Sequence, residues 1–498
     1  MTNSATCIFD NKIFRIILLS VLSFCYLLFF SVTLSPLMNS DELGMDSSMF
    51  ELMGLAVLKG YIPYVDLFDH KGPLLYFIEA IGQWLIPGKM GLFLLQALSL
   101  SIIVNLWFSI AKMFTDYIKS YLCVVLMFFS YHIISIEGNL TEDWSILFIT
   151  VALYICCKQI QNTTRDSWMN YVILGTCFGS VFLIRPNDAV AFVGGPIFGM
   201  LLLWVLKEEY KRGLKCIGFS IIGALFVITP FACYFAYYNA LPEFWYGLIG
   251  YNMNYTDGVV NMVLNCTSIN KYVYLPILIT TIVLWFGSSH KEYLFVIVPT
   301  AFLAYLLLGE RTYNHYFITW LPCVFLFFWI GVFVTMQGGL KILSILLFFL
   351  MPFFNNRNIL KIPYHDITFI YKTLFSETKD EYASTEILFS HVSAQEKDSI
   401  WSYNLGWGKE ENSFPVLWRN QIVPCNRVPL IFMAQIDTTL YQDMDITIAK
   451  PLYILYAAKE EPDISFSARD SLFIKENYYM YSKIEKPEVL LYKRGKPF

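Results

Sequence analysis

Apolar and polar positions divide the chain near residue 355. Before that point, apolar runs long enough for a helix to cross a bilayer, roughly 17 to 25 residues, recur between short polar breaks. They fall at 13–35, 90–111, 120–137, 143–158, 170–185, 188–206, 214–238, 271–287, 292–309, 315–336 and 339–355, which predicts about eleven transmembrane helices. The run at 73–87 is too short to span and ends at Pro87-Gly88, so it predicts a re-entrant or interfacial helix. The first run follows a polar segment holding Lys12 and Arg15, with no small-residue cleavage site after it, and reads as a retained transmembrane helix rather than a signal peptide.

After residue 355 the pattern changes. Lys, Glu and Asp become frequent, and the short β-rich runs SIWSYNL, PLYILYA and VLLYKR stand between charged segments. This predicts a soluble α/β domain over 356–498, following a membrane domain over 1–355 whose first outer loop covers 36–89. The expected fold class is an α-helical polytopic membrane protein with a C-terminal soluble domain. No solenoid-period repeat or low-complexity segment is visible.

Composition agrees with this division. Of 498 residues, 56% are hydrophobic and 15% charged, and the mean hydropathy is +0.53; these values belong to an integral membrane protein. A net charge of -4 gives no reason to expect a nucleic-acid partner. Most of the eleven cysteines, Cys25, Cys123, Cys156, Cys157, Cys177, Cys233 and Cys323 among them, sit inside apolar runs without metal-ligand spacing and read as small buried hydrophobes. Cys266 and Cys425 are placed outside the membrane, where an oxidising compartment would permit a bridge.

Basic residues of the short loops set the orientation. With the N-terminus in the cytoplasm, Lys12, Arg15, Lys112, Lys119, Lys158, Arg165, Lys207, Lys211, Arg212, Lys215, Lys291 and Lys341 collect on the inner side. An odd number of spans then puts the tail domain outside.

Under that topology the unusual polar clusters share the outer face. Within the first outer loop, Ser48 and Glu51 form the pattern of a capping box, and the apolar positions from Met49 to Val57 predict a short surface helix stopped by Gly60. The acidic pair Asp41 and Glu42 precedes it, and Asp66, Asp69, His70 and Lys71 follow. Later outer loops supply Glu142 and Asp143, Arg185 and Asp188, and Arg311 and His315. Each has an ordinary explanation, since lysines and arginines at a membrane edge snorkel and acids beside a helix start cap it. Convergence of so many charges at a membrane face is nevertheless a functional signal.

Such a face suits phosphate handling at headgroup level. A lipid-linked phosphate would meet Lys71, Arg311, His315 and His70 while its polyprenyl tail stayed in the bilayer. Fixed cations would stabilise charge on the phosphate oxygen as a glycosyl phosphate bond breaks, and a carboxylate such as Asp41 or Glu42 would take the proton of an incoming hydroxyl.

The segment YIPYVDLFDHKGPLLYF, the acidic DE after the first span, LIRPN and RTYNHYFITWLP together resemble the GT-C glycosyltransferases of the protein O-mannosyltransferase and lipid A aminoarabinose transferase type, a family 39-like group. The resemblance covers roughly 13–355. It implies a polyprenyl-phosphate-sugar donor, inversion at the anomeric carbon, Asp41 as base, Lys71 on the donor phosphate, and an acceptor hydroxyl on an envelope glycan, lipid or protein at the periplasmic face of a bacterial inner membrane. This chain has Gly72 where the group usually has a first proline. Some relatives hold a divalent metal nearby, for which His70, Asp69 and His315 could supply ligands; no cofactor is assigned. Two other classes stay open. An O-antigen polymerase or ligase would carry its largest loop late and rich in arginine, and a transporter of polyprenyl-linked glycans would place charges at the midplane.

Overall fold

The structure, a computed structural model, describes residues 11–37, 45–134, 137–161, 167–255, 271–307, 314–337, 385–404, 413–429, 431–457, 468–485 and 488–495. Its principal helices are α1 (Lys12–Phe30), α2 (Met45–Leu58), α3 (Pro73–Leu85), α4 (Met90–Ala111), α5 (Tyr117–Ile134), α6 (Thr141–Gln161), α7 (Trp168–Phe182), α8 (Pro186–Leu206), α9 (Tyr210–Tyr237), α10 (Lys271–Phe286), α11 (Leu294–Leu307) and α12 (Leu321–Thr335). Among the described residues six, α1, α4, α5, α6, α8 and α9, are long and apolar enough to cross a membrane. The first ten expected spans fall on helical residues, and the last, 339–355, lies outside the described residues. Cys266 also lies outside them.

Contacts gather into two compact units. The first comprises Met1–Ser31, Leu94–Tyr234 and Thr256–Tyr371. Its helices carry apolar side chains outward as well as inward: Leu214 and Phe226 of α9 are 70% and 75% exposed, which suits a lipid-facing surface and not a water-facing one. Inside the unit, indole N–H groups tie helices together. Trp285 donates to the Phe327 carbonyl at 2.9 Å and Trp329 to the Ser130 hydroxyl at 3.1 Å, bonds of the kind that hold helices together in lipid.

The second unit joins Val32–Phe93 and Phe235–Tyr255 to the tail from Lys372. Here α2 packs against α3 and against the short tail helix Phe414–Arg419. Trp418 donates to Gln83, and Gln83 in turn to the Glu51 carbonyl, at 3.0 and 2.8 Å. The helix is consequently buried on nearly every side, from Ser47 through Ala56, where the sequence suggested one exposed face. The expected capping box is also absent. Helix α2 already runs at Met45, so Ser48 lies inside it, and the Glu51 carboxyl points into the packed interior instead of back to a helix start. Gly60, at φ +86°, ends the helix as expected, a conformation without strain only for glycine.

The tail carries a mixed four-stranded sheet of order β1-β2-β4-β3, with β1 (Ile400–Asn404) parallel to β2 (Tyr453–Ala457), and β4 (Glu488–Arg494) antiparallel to both β2 and β3 (Tyr478–Glu485). Alternate residues Trp401, Tyr403, Ile454, Tyr456 and Leu490 form its apolar core with Ile446 and Ile474, as the two-residue period of strands requires. The three expected β-rich runs are β1, β2 and β4.

Candidate functional site

In each unit, charged residues singled out from the sequence come together. In the second unit the chain leaving α2 turns sharply: the Ile62 N–H donates to Asp66 at 2.6 Å and the Tyr64 N–H to the Leu67 carbonyl at 2.8 Å. Asp66 thus ties its own turn. Tyr64 stands at φ +69°, an uncommon conformation for a bulky residue and one that surrounding contacts must hold in place. Its ring lies flush against Gly247, where a Cβ would enter the ring.

This turn presents Asp69, His70 and Lys71. The Lys71 ammonium donates to His70 Nε2 at 2.9 Å, and His70 Nδ1 lies 3.3 Å from Asp69. Tyr76 contacts Asp69 at 3.0 Å and the Lys71 carbonyl at 2.9 Å, and receives the Lys71 N–H at 3.1 Å. The Tyr64 hydroxyl donates to the same carbonyl at 2.7 Å, and Asn252 donates to the His70 carbonyl at 2.9 Å. Burial, reinforced by the adjacent Lys71 charge, pulls the His70 pKa down, so the imidazole is neutral at pH 7 and accepts from Lys71. Burial pushes Asp69 up, but the His70 hydrogen bond and the nearby positive charge outweigh it and leave the carboxylate ionised. Burial, then Asp69, holds Tyr64 and Tyr76 well above the ordinary phenol range, so both remain donors.

Directly after Lys71, α3 begins. Gly72 is its N-cap with no side-chain cap bond, and Pro73 fills the first helical position. Gly72 itself has φ -77° and ψ 151°, the polyproline-like region a proline would also occupy. The glycine that departs from the family pattern therefore keeps the backbone a proline would give. Pro73 has no N–H and the Leu75 N–H donates to the Gly72 carbonyl at 3.2 Å, so what this helix start offers is chiefly the positive end of its dipole, and the lysine and the helix together favour an anion.

In the first unit Glu142, Arg185, Asp188 and His315 come together. Arg185 pairs with Glu142, lies 3.6 Å from Asp188, and stacks on the Tyr316 ring at 4.0 Å. Glu142 also accepts from the Thr141 hydroxyl at 2.8 Å, and His315 lies close enough to act on it electrostatically. Asp143 accepts from Tyr131 and from the Leu140 N–H, closing the start of α6. Two carboxylates compensate Arg185, so this cluster reads as a structural ion-pair network more than a phosphate cradle. Asp41, Glu42 and Arg311 lie outside the described residues.

A divalent metal does not fit Asp69 and His70. The imidazole lone pair already faces an ammonium, which would repel a cation, and among the described residues no group of three or more His, Cys, Asp or Glu side chains could hold one. Tyr64 and Tyr76 have no role that the sequence pattern assigns; their spacing around Lys71 is the one local signal of it. Asn252 carries no local signal at all.

This helical membrane architecture is of the GT-C type. The chain is similar in fold to the crystal structure of ArnT from Cupriavidus metallidurans bound to undecaprenyl phosphate, with a TM-score of 0.56 at 9% identity over 96% of this chain and 97% of that one. It is similar also to the apo state of the same protein, with a TM-score of 0.59 at 10% identity over the same shares. No family model and no curated protein sequence matches the chain.

Proposed function

We propose that this protein is an inverting glycosyltransferase that moves a sugar from a polyprenyl-phosphate donor to a hydroxyl of an envelope glycan, lipid or protein at the periplasmic face of the inner membrane. The observation that carries the reading is the Lys71 ammonium, held by His70 beside the uncapped start of α3, a combination suited to a phosphate. The fold shared with a protein crystallised with undecaprenyl phosphate supports it.

In the reaction, Asp41 takes the proton from the acceptor hydroxyl while that oxygen forms a bond to the anomeric carbon. The bond from that carbon to the phosphate oxygen breaks with its electron pair, and polyprenyl phosphate leaves. Lys71 and the positive end of α3 stabilise the charge that develops on the leaving oxygen. Glu42 is the second candidate for the base.

The test is lipid and glycan mass spectrometry of a deletion strain. The proposal requires an accumulated polyprenyl-phosphate sugar and a glycan, lipid or protein lacking one sugar, both restored by the wild-type gene and not by Asp41→Asn. Unchanged lipid-linked sugars would remove the proposal.

A further inference from the structure

We infer that Arg427, in the soluble tail, is a positioning residue for the phosphate-binding lysine, so that the tail is a working part of the donor site. The inference rests on the proposed role of Lys71. Two reciprocal backbone contacts join the tail to the turn. The Phe68 N–H donates to the Arg427 carbonyl at 2.7 Å, and Arg427 Nε–H donates to the Tyr64 carbonyl at 2.8 Å. The guanidinium is fixed in turn by Asp443 at 2.8 Å and lies over the Phe68 ring at 5.7 Å.

What Arg427 grips is the one bulky residue of this turn at positive φ. A tyrosine in that conformation is held by its surroundings, and Arg427 supplies the bond to its carbonyl while the Gly247 backbone lies against its ring. From the same tyrosine the hydroxyl reaches the Lys71 carbonyl at 2.7 Å. The path Asp443, Arg427, Tyr64, Lys71 thus runs from the tail to the lysine through two side chains and one strained residue. A second tail contact supports the other side: Tyr251 donates to the Met433 carbonyl at 3.2 Å, and its neighbour Asn252 donates to the His70 carbonyl. The turn bearing Asp69, His70 and Lys71 is therefore held from both sides by tail-anchored groups. A lysine's planar-fork relative is needed at 427 because one guanidinium bonds Tyr64 through Nε and Asp443 through Nη1 at once, which an ammonium point charge cannot reproduce in that geometry.

A double-mutant cycle on undecaprenyl phosphate binding tests this, using the full-length protein in detergent and the variants Lys71→Gln, Arg427→Ala, Arg427→Lys and the two combinations, with melting temperatures recorded alongside. Arg427→Ala should weaken binding about five- to tenfold in the wild-type background, Arg427→Lys should weaken it less, and neither should weaken it further once Lys71 is Gln, since groups acting through one another are non-additive. Equal losses in both backgrounds, or no loss in the folded Arg427→Lys protein, would overturn the positioning role while leaving the donor reading intact. Wild-type affinity in Lys71→Gln would instead overturn the donor reading, and the inference with it. If Arg427→Ala does not fold, the Arg427→Lys arm carries the cycle.

Discussion

Lys71 and His70 are neighbours in sequence and joined through their side chains, ammonium to imidazole nitrogen, at 2.9 Å. The contact works only while His70 is neutral, because protonation turns Nε2 from acceptor to donor. Since the folded pKa lies below 6.5, the unfolded chain binds the proton first as pH falls, and this site loses stability below about pH 6.5. His70→Gln, which keeps an acceptor and does not titrate, should retain more activity than His70→Phe and should lack the acid limb that His70 gives the wild type. A pH–rate profile of the three proteins checks this, and an unchanged acid limb in His70→Gln would place its origin elsewhere.

Gly72 holds a backbone angle that proline shares. Gly72→Pro should leave donor use unchanged and raise stability by about 0.4 to 1 kcal/mol, through a less flexible unfolded chain. Loss of activity together with a lower melting temperature would show that the turn needs the glycine itself.

Glu51 is fully buried, and among the described residues neither of its carboxyl oxygens has a hydrogen-bond partner. Burial, against the opposing pull of Lys89, pushes its pKa up to about 8. The folded state then keeps a proton that the unfolded state releases above about pH 4.5, so its contribution to stability falls as pH rises between those values and levels off above 8. Glu51→Gln should melt several degrees higher than wild type at pH 8 and match it near pH 4.5. A difference independent of pH would mean the carboxyl is not the cause.

Orientation is tested separately. A reporter active only outside the cytoplasm should be active when fused after residue 360 and silent near Lys211, as the distribution of Lys and Arg requires. An inactive fusion after 360 would put the span count out by one.

Much of the architecture was legible because long apolar runs and two-residue alternation each have one strong physical cause. The first ten helical regions and strands β1, β2 and β4 followed from them, whereas β3, with Ser482, Lys483 and Glu485 along it, did not show its pairing to β4. Helix α2 was foreseen and its burial was not, since no local pattern indicates that the tail helix Phe414–Arg419 packs against it. In the site, Lys71 and His70 stood out as charges in an apolar chain. Arg427 lies more than three hundred residues from Tyr64, and only the folded chain brings the two together.

The most direct measurement uses the lipid extract of a deletion strain as the source of donor, so that the sugar need not be known beforehand. Purified wild type, Lys71→Gln and Lys71→Arg would each be given this extract with membranes supplying the acceptor, and the release of polyprenyl phosphate followed with time. The account predicts a loss on the order of 10² in rate for Lys71→Gln, in the range found when one oxyanion donor is removed, with Lys71→Arg between it and wild type. Equal release by all three proteins would contradict it.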